Sequence, residues 1–253
     1  MKKILALAML FAVSSAFAAW DMFPAKEAGR GEVKLGVQYD MPAEKLSYLG
    51  LNFGVRYTII DGLEAAIMLR GNHYTGHGGF VVTSDYDGND VEEKGIDLPI
   101  VGVRYWLPMG VGFFADVALP LGSEDRVSDD PPTVLNAGVQ FSTHFTEELS
   151  LGSEVSVFKA FNDYDPGMDL KVAAELDYAI SIVTPKVGAD FVTGITKGDR
   201  SETEPLGVGF SAGVTVDITE MLYVDVGAWV GVIGNRYNDD TPITLSTDFG
   251  VNF

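Results

Sequence analysis

The 253-residue sequence predicts an all-β fold: a transmembrane, antiparallel, up-and-down β-barrel of twelve strands over residues 31–253. Three observations carry this. Apolar and polar residues alternate with period two from end to end. The links between alternating segments are long or very polar after odd strands and tight after even ones. Aromatic residues close every even strand but the tenth on the apolar face.

The strands follow in order. "EVKLGVQY" puts Val33, Leu35, Val37 and Tyr39 on one face, and "LGLNFGVRY" does the same with Leu49, Leu51, Phe53, Val55 and Tyr57. "LEAAIMLR" continues with Leu63, Ala65, Ile67 and Leu69. In "IDLPIVGVRYW" the alternation Ile96, Leu98, Ile100 shifts by one place to Val101, Val103, Tyr105, which predicts a β-bulge near Pro99. "VGFFADVALPL" and "LNAGVQFSTHF" form the fifth and sixth strands, "LSLGSEVSV" and "MDLKVAAELDY" the seventh and eighth. "PKVGADFVTGI", "LGVGFSAGVTV" and "LYVDVGAWVGV" are the next three. The twelfth is "ITLSTDFGVNF", alternating to an aromatic at Phe253.

A soluble sandwich would also alternate. Twelve strands of about ten residues with little else suit a membrane-spanning wall better. The tight links, such as "TIIDG", "LPMG" and "TEE", are expected at the periplasmic rim, and "NHYTGHGGFVVTSDYDGNDVEEKG" and "GSEDRVSDDPPT" are expected outside. Tyr57, Tyr105, Phe145 and Tyr178, with Phe253, form the predicted aromatic girdle at the lower rim.

The leader "MKKILALAMLFAVSSAFA", residues 1–18, has the charged start, apolar middle and small-residue end of a secretory signal peptide. Residues 19–30 are expected as a short segment hanging in the periplasm or plugging the barrel. No later stretch has the roughly 18 uninterrupted apolar residues of a spanning helix. With no cysteine, the chain carries neither disulfides nor a lipidated cysteine. Seventeen basic against 36 acidic residues give a net charge of −19, which argues against a nucleic-acid partner.

The stretch "FGVNF", with outward Phe249, Val251 and Phe253, resembles the terminal strand of Gram-negative, porin-like outer-membrane barrel proteins. That resemblance implies that the last aromatic is an assembly signal read by the barrel-assembly machinery, and that outer-membrane lipid surrounds the wall. The phrases "TEELSLGSEVSV" and "TEMLYVDVGAWV" also resemble the transporter group of phenol-degradation pathways (the MetA type).

Candidate site residues lie on the inward face. Basic side chains fall early, at Lys34, Arg56, Arg70 and Arg104; acidic ones dominate later, at Asp116, Glu154, Asp169, Glu175, Asp177, Asp190, Asp217, Asp225 and Asp248. The two groups are expected on opposing arcs, either as a field across a pore or as paired charges filling it. Glu64, between Arg56 and Arg104, is expected to pair with them. Inward Phe114 and Trp229 are expected to fill space rather than bind solute.

Asp85, Asp87 and Asp90 around Gly88 suggest a calcium loop, but Glu92 and Glu93 come too early for an EF-hand, so a solvated acidic loop is expected. A lipid hydrolase would need a nucleophile and base at the outer leaflet. His144 shares a face with Ser142 but lies low in the barrel, and His73 and His77 have no evident nucleophile beside them. No cofactor, metal or enzymatic activity is expected. The sequence points to a passive route for small solutes with a cation-leaning lumen. A closed structural or surface-binding barrel is the alternative, followed by a lipid hydrolase.

Overall fold

The computed structural model describes residues 22–23, 27–43, 46–69, 80–86, 95–96, 99–121, 132–161, 167–199, 206–233 and 241–253. These form fourteen strand segments: β1 (Gly31–Ala43), β2 (Leu46–Ile60), β3 (Leu63–Leu69), β4 (Phe80–Tyr86), β5 (Gly95–Ile96), β6 (Ile100–Trp106) and β7 (Val111–Ala118). The second half comprises β8 (Thr133–His144), β9 (Leu149–Phe161), β10 (Met168–Tyr178), β11 (Val183–Thr196), β12 (Gly207–Asp217), β13 (Leu222–Ile233) and β14 (Ile243–Asn252).

Successive staves pair antiparallel, and β1 pairs with both β2 and β14, so the sheet closes on itself. Two staves are each made of two segments. β3 and β4 both pair with β2, one below the other, and β5 and β6 continue the next stave. The barrel therefore has the twelve staves expected. Pro99 sits in the break between β5 and β6, because proline cannot donate to the ladder. Beyond it Val101, Val103 and Tyr105 face out while Gly102, Arg104 and Trp106 face in.

Two boundaries differ from the sequence reading, and for one reason. "DMPAEKLS" is polar and "FVVTSDY" sits within a long polar, Gly-rich stretch, so both look like loop, yet β1 runs on to Ala43, β2 starts at Leu46, and Phe80–Tyr86 pairs with Leu46–Leu51. In a barrel with a wet or charged interior, a strand's inward face is itself polar, so polarity does not end the strand.

Short turns gather at one rim. Gly62, with φ 81°, closes the β2–β3 hairpin at a position where a Cβ would strike the carbonyl oxygen of Trp106. Gly31 and Phe253 exchange two backbone hydrogen bonds at this rim, 2.9 and 3.0 Å long, which close the seam between β1 and β14.

The wall is inside-out relative to a water-soluble protein. Leu35 and Ile67 are each 55% exposed on the outer face, whereas inward Glu154 and Asp169 are each 1% exposed. Apolar side chains cover the outside of every long stave, far more contiguous apolar surface than a soluble monomer exposes. No helix among the described residues is long and apolar enough to cross a membrane; the strands supply the span.

Candidate functional site: the barrel lumen

Alternation places every second side chain of each stave in the lumen, where packing against the opposite wall and its own neighbours decides which groups meet. On the first staves the result is a connected ion network. Glu32 accepts from Arg56 Nε at 2.5 Å and from the Tyr223 hydroxyl, and Lys34 Nζ lies 3.6 Å from it. Arg56 Nη1 is 3.7 Å and Arg104 Nη1 3.4 Å from the two oxygens of Glu64. Glu64 thus lies between Arg56 and Arg104, and all three are buried.

A second group lies on β8–β10. Glu154 accepts from Gln140 Nε2 at 3.0 Å and from Ser156 Oγ at 3.1 Å, with Lys171 Nζ at 3.7 Å. Asp116 is fully buried on β7, its carboxylate over Gly102 of the neighbouring stave. Asp169 is buried on β10. A third, uncharged-to-acidic chain runs from Asn52 to Gln38 (3.0 Å) to Asp40 (2.7 Å), which also accepts from Thr244 at 2.6 Å.

The later staves are packed differently. Lys186 donates to Asp225, which also accepts from Thr215 at 2.8 Å. Trp229 Nε1 donates to Asp190 at 2.6 Å. Glu175 and Asp177 are half-buried beside β11, whereas Asp248 is buried. Phe114 and Trp229 are both buried in the lumen, Trp229 as a hydrogen-bond donor as well as a filler. Asp217 differs from expectation: it ends β12 at the short-turn rim and is exposed. Arg70, His73, His77, Asp87, Asp90, Glu92 and Glu93 lie outside the described residues, as does the side chain of Asp85. Residues 1–21, and with them the leader, lie outside as well.

Sequence reasoning missed Glu32, Asp40, Gln38 and Tyr223. Glu32 shares the parity of Lys34, and Tyr223 that of Asp225, so facing alone could have named them. Their partners could not be read that way, because Tyr223 lies 191 positions from Glu32.

The girdle residues Tyr57, Tyr105, Phe145, Tyr178 and Phe253 are all exposed on the outer wall beside the short-turn rim, and Phe249 is exposed higher on β14 with half-buried Val251. Met22 and Phe23 lie against inward Gly152 of β9. A Cβ there would fall 2.7 Å from Met22 Cβ and 3.2 Å from Phe23 Cζ. Since β9 stands six staves from β1, this short segment rests on the wall opposite the strand it precedes.

Ser142 is buried and His144 exposed at the end of β8. Among the described residues no group of three or more His, Cys, Asp and Glu side chains could hold a metal ion.

Neither a protein-family profile nor a curated protein sequence matches the chain. Solved structures do match its shape. An outer-membrane channel from Pseudomonas putida F1 superposes with a TM-score of 0.68 at 11% identity, covering 91% of this chain and 98% of that one. The NanC porin gives 0.58 at 10% identity, over 87% and 98%. The translocator domain of the autotransporter NalP from Neisseria meningitidis gives 0.57 at 11%, over 100% and 98%. The fold is that of porin-like outer-membrane barrels, and at this identity the likeness concerns the fold alone.

Proposed function

We propose that this chain is a passive outer-membrane channel for small solutes, with a lumen that favours cations. The observation that carries the reading is the polarity of the wall: a continuous apolar exterior around a charged interior. An apolar exterior suits lipid, and charge facing a lumen tunes what passes through it. A bilayer of outer-membrane type is the surrounding that fits, since closed barrels leave no backbone edge unpaired. Among the similar folds a channel and a porin favour transport; the NalP domain, a translocator, shows that the barrel alone does not decide it.

The cation preference follows from the inward charge. Among the described residues, inward carboxylates outnumber inward ammonium and guanidinium groups, and Arg56 and Arg104 are already matched by Glu32 and Glu64. Asp190, Asp225 and Asp248 add acid on the later staves, with Lys186 paired to Asp225 and Lys34 also acting on it. Screening over about 8–10 Å at moderate salt leaves such a field effective across a narrow lumen and weakens it at high salt.

The reversal potential in a planar bilayer under a potassium chloride gradient tests this. Cation preference that falls when Asp190, Asp225 and Asp248 become Asn together is expected. Anion preference would defeat the selectivity. No conductance would favour a closed structural or surface-binding barrel, the reading that the packed networks of the early staves support. Enzymatic lipid chemistry has less in its favour, because Ser142 is buried and the pair sits at the short-turn rim.

A further inference from the structure

The two halves of the lumen are packed to different degrees. On β2–β9 long polar side chains fill the interior: Arg56, Glu64, Arg104, Asp116, Gln140 and Glu154 are all buried. The Glu154 and Lys171 side chains are 0% and 6% exposed, although they form an ion pair. The pair on the later staves is wetter, with Lys186 and Asp225 side chains 20% and 19% exposed.

The cause is side-chain size. Across β11 to β14 the inward positions in register are Lys186, Gly213, Gly227 and Ser246. One row up, Gly188 faces Ser211. All of these positions are half-buried rather than buried. Two glycines and a serine in a row cannot fill a lumen that arginines and glutamates fill on the other side. A strip of water-accessible wall therefore crosses β10–β14 at this level, bordered by buried Trp229 and Thr244 one row up and by buried Asp248 one row down.

Lys186 occupies that strip. Its chain passes over Gly213, whose missing Cβ would lie 3.7 Å from Lys186 Cε, and ends on Asp225 two staves away. Asp177 is its direct cross-strand neighbour, and Glu175 stands opposite Gly188. One ammonium is thus set among three carboxylates where the described side chains of the lumen are small.

Building on the channel reading above, we propose that the solute path is this eccentric strip along β10–β14 rather than the barrel axis, and that Lys186 is the residue that sets its charge preference. The solutes it suits are small hydrated cations, inorganic or organic. A cation meets Asp177, Glu175 and Asp225 in turn, and Lys186 holds part of that acidity in check.

The chain has no cysteine, so single cysteines can map the path without background. Ser211→Cys and Ser246→Cys lie on the strip; Ser156→Cys and Asn136→Cys lie on the packed side. The folded barrel in detergent is treated with a cationic methanethiosulfonate reagent and labelling is read by mass, then conductance is measured in bilayers. Ser211→Cys and Ser246→Cys are expected to label quickly and to lose current on modification. Ser156→Cys and Asn136→Cys are expected to resist labelling and keep their current.

In the otherwise unmodified chain, Lys186→Gln is expected to move the reversal potential further toward the cation limit. Equal labelling of Ser156→Cys, current that survives modification of Ser211→Cys, or an unmoved potential in Lys186→Gln would overturn the path while leaving the channel standing. Rapid labelling at Ser211→Cys in a barrel that passes no current would overturn the channel reading and the path together.

Discussion

The ring of Phe253 lies over the α-carbon of Gly31, and the same two residues are joined by a pair of backbone hydrogen bonds. Phe253, directly after β14, and Gly31, the first residue of β1, thus make one closure. The ring also faces the outside of the wall at the short-turn rim. Closure and recognition by an assembly machinery are separable roles for it.

Phe253→Ala keeps the backbone pair and removes the ring. We expect it to refold in detergent to a heat-modifiable species, yet to lower the folded protein recovered from outer membranes of expressing cells. Equal loss in both settings would make the ring a closure element only. Gly31→Val, which expels the ring and crowds the seam, is expected to reduce folding in both.

Glu64 joins two guanidinium groups that have little water around them. Glu64→Ala leaves Arg56 and Arg104 without that carboxylate, and breaking a buried ion pair from one side costs about 3–5 kcal/mol. Denaturant unfolding of the detergent-folded barrel reads the loss. Glu64→Gln keeps the shape and one acceptor oxygen, and is expected to cost less than the alanine variant.

The fold was legible because a barrel repeats two short rules, alternation along each strand and alternation of long and short links, and both survive in a single sequence. Facing was legible for the same reason: Lys34, Arg56, Arg104, Glu154 and Asp225 all point inward as parity requires. Partners were less so. Tyr223 reaches Glu32 by lying across Gly250, Lys186 reaches Asp225 across Gly213, and Trp229 reaches Asp190 across Gly209. In each case a glycine on the intervening stave lets a long side chain lie flat over it. That device depends on register between strands, which alternation does not fix. The strand "FVVTSDY" was illegible because it lies inside a long stretch rich in Gly, Asp and Asn, the residues that mark loops.

The short-turn rim is expected to face the periplasm. An epitope inserted at Gly88, between β4 and β5, should be labelled on intact cells, and one inserted between Glu147 and Glu148 only after permeabilisation. The opposite pattern would invert the barrel and place the girdle of Tyr57, Tyr105, Phe145 and Tyr178 at the outer leaflet.

Met22 and Phe23 touch Gly152 on the inner wall, so they take up space beside the packed staves at the short-turn mouth. Converting both to glycine is expected to raise single-channel conductance without moving the reversal potential, since neither residue is charged. Unchanged conductance with an unchanged reversal potential would place them away from the ion route and leave their contact purely structural.

Trp229 combines filling and hydrogen bonding, and two substitutions separate the roles. Its indole lies over Gly209, where any Cβ would collide with the ring, and its Nε1–H is held by Asp190. Trp229→Phe keeps an aromatic body but loses a hydrogen bond to a charged acceptor, worth about 1.5–3 kcal/mol. Asp190, relieved of that donor, then presents more of its charge to the lumen, so cation preference should rise as stability falls. Gly209→Ala keeps both groups and removes the place where the ring rests. The indole must then swing toward the strip lined by Ser211 and Gly227, which should lower conductance and change tryptophan emission, with the Trp229→Phe spectrum identifying the contribution of that ring. Higher conductance in Gly209→Ala would mean that the indole is not beside the ion route.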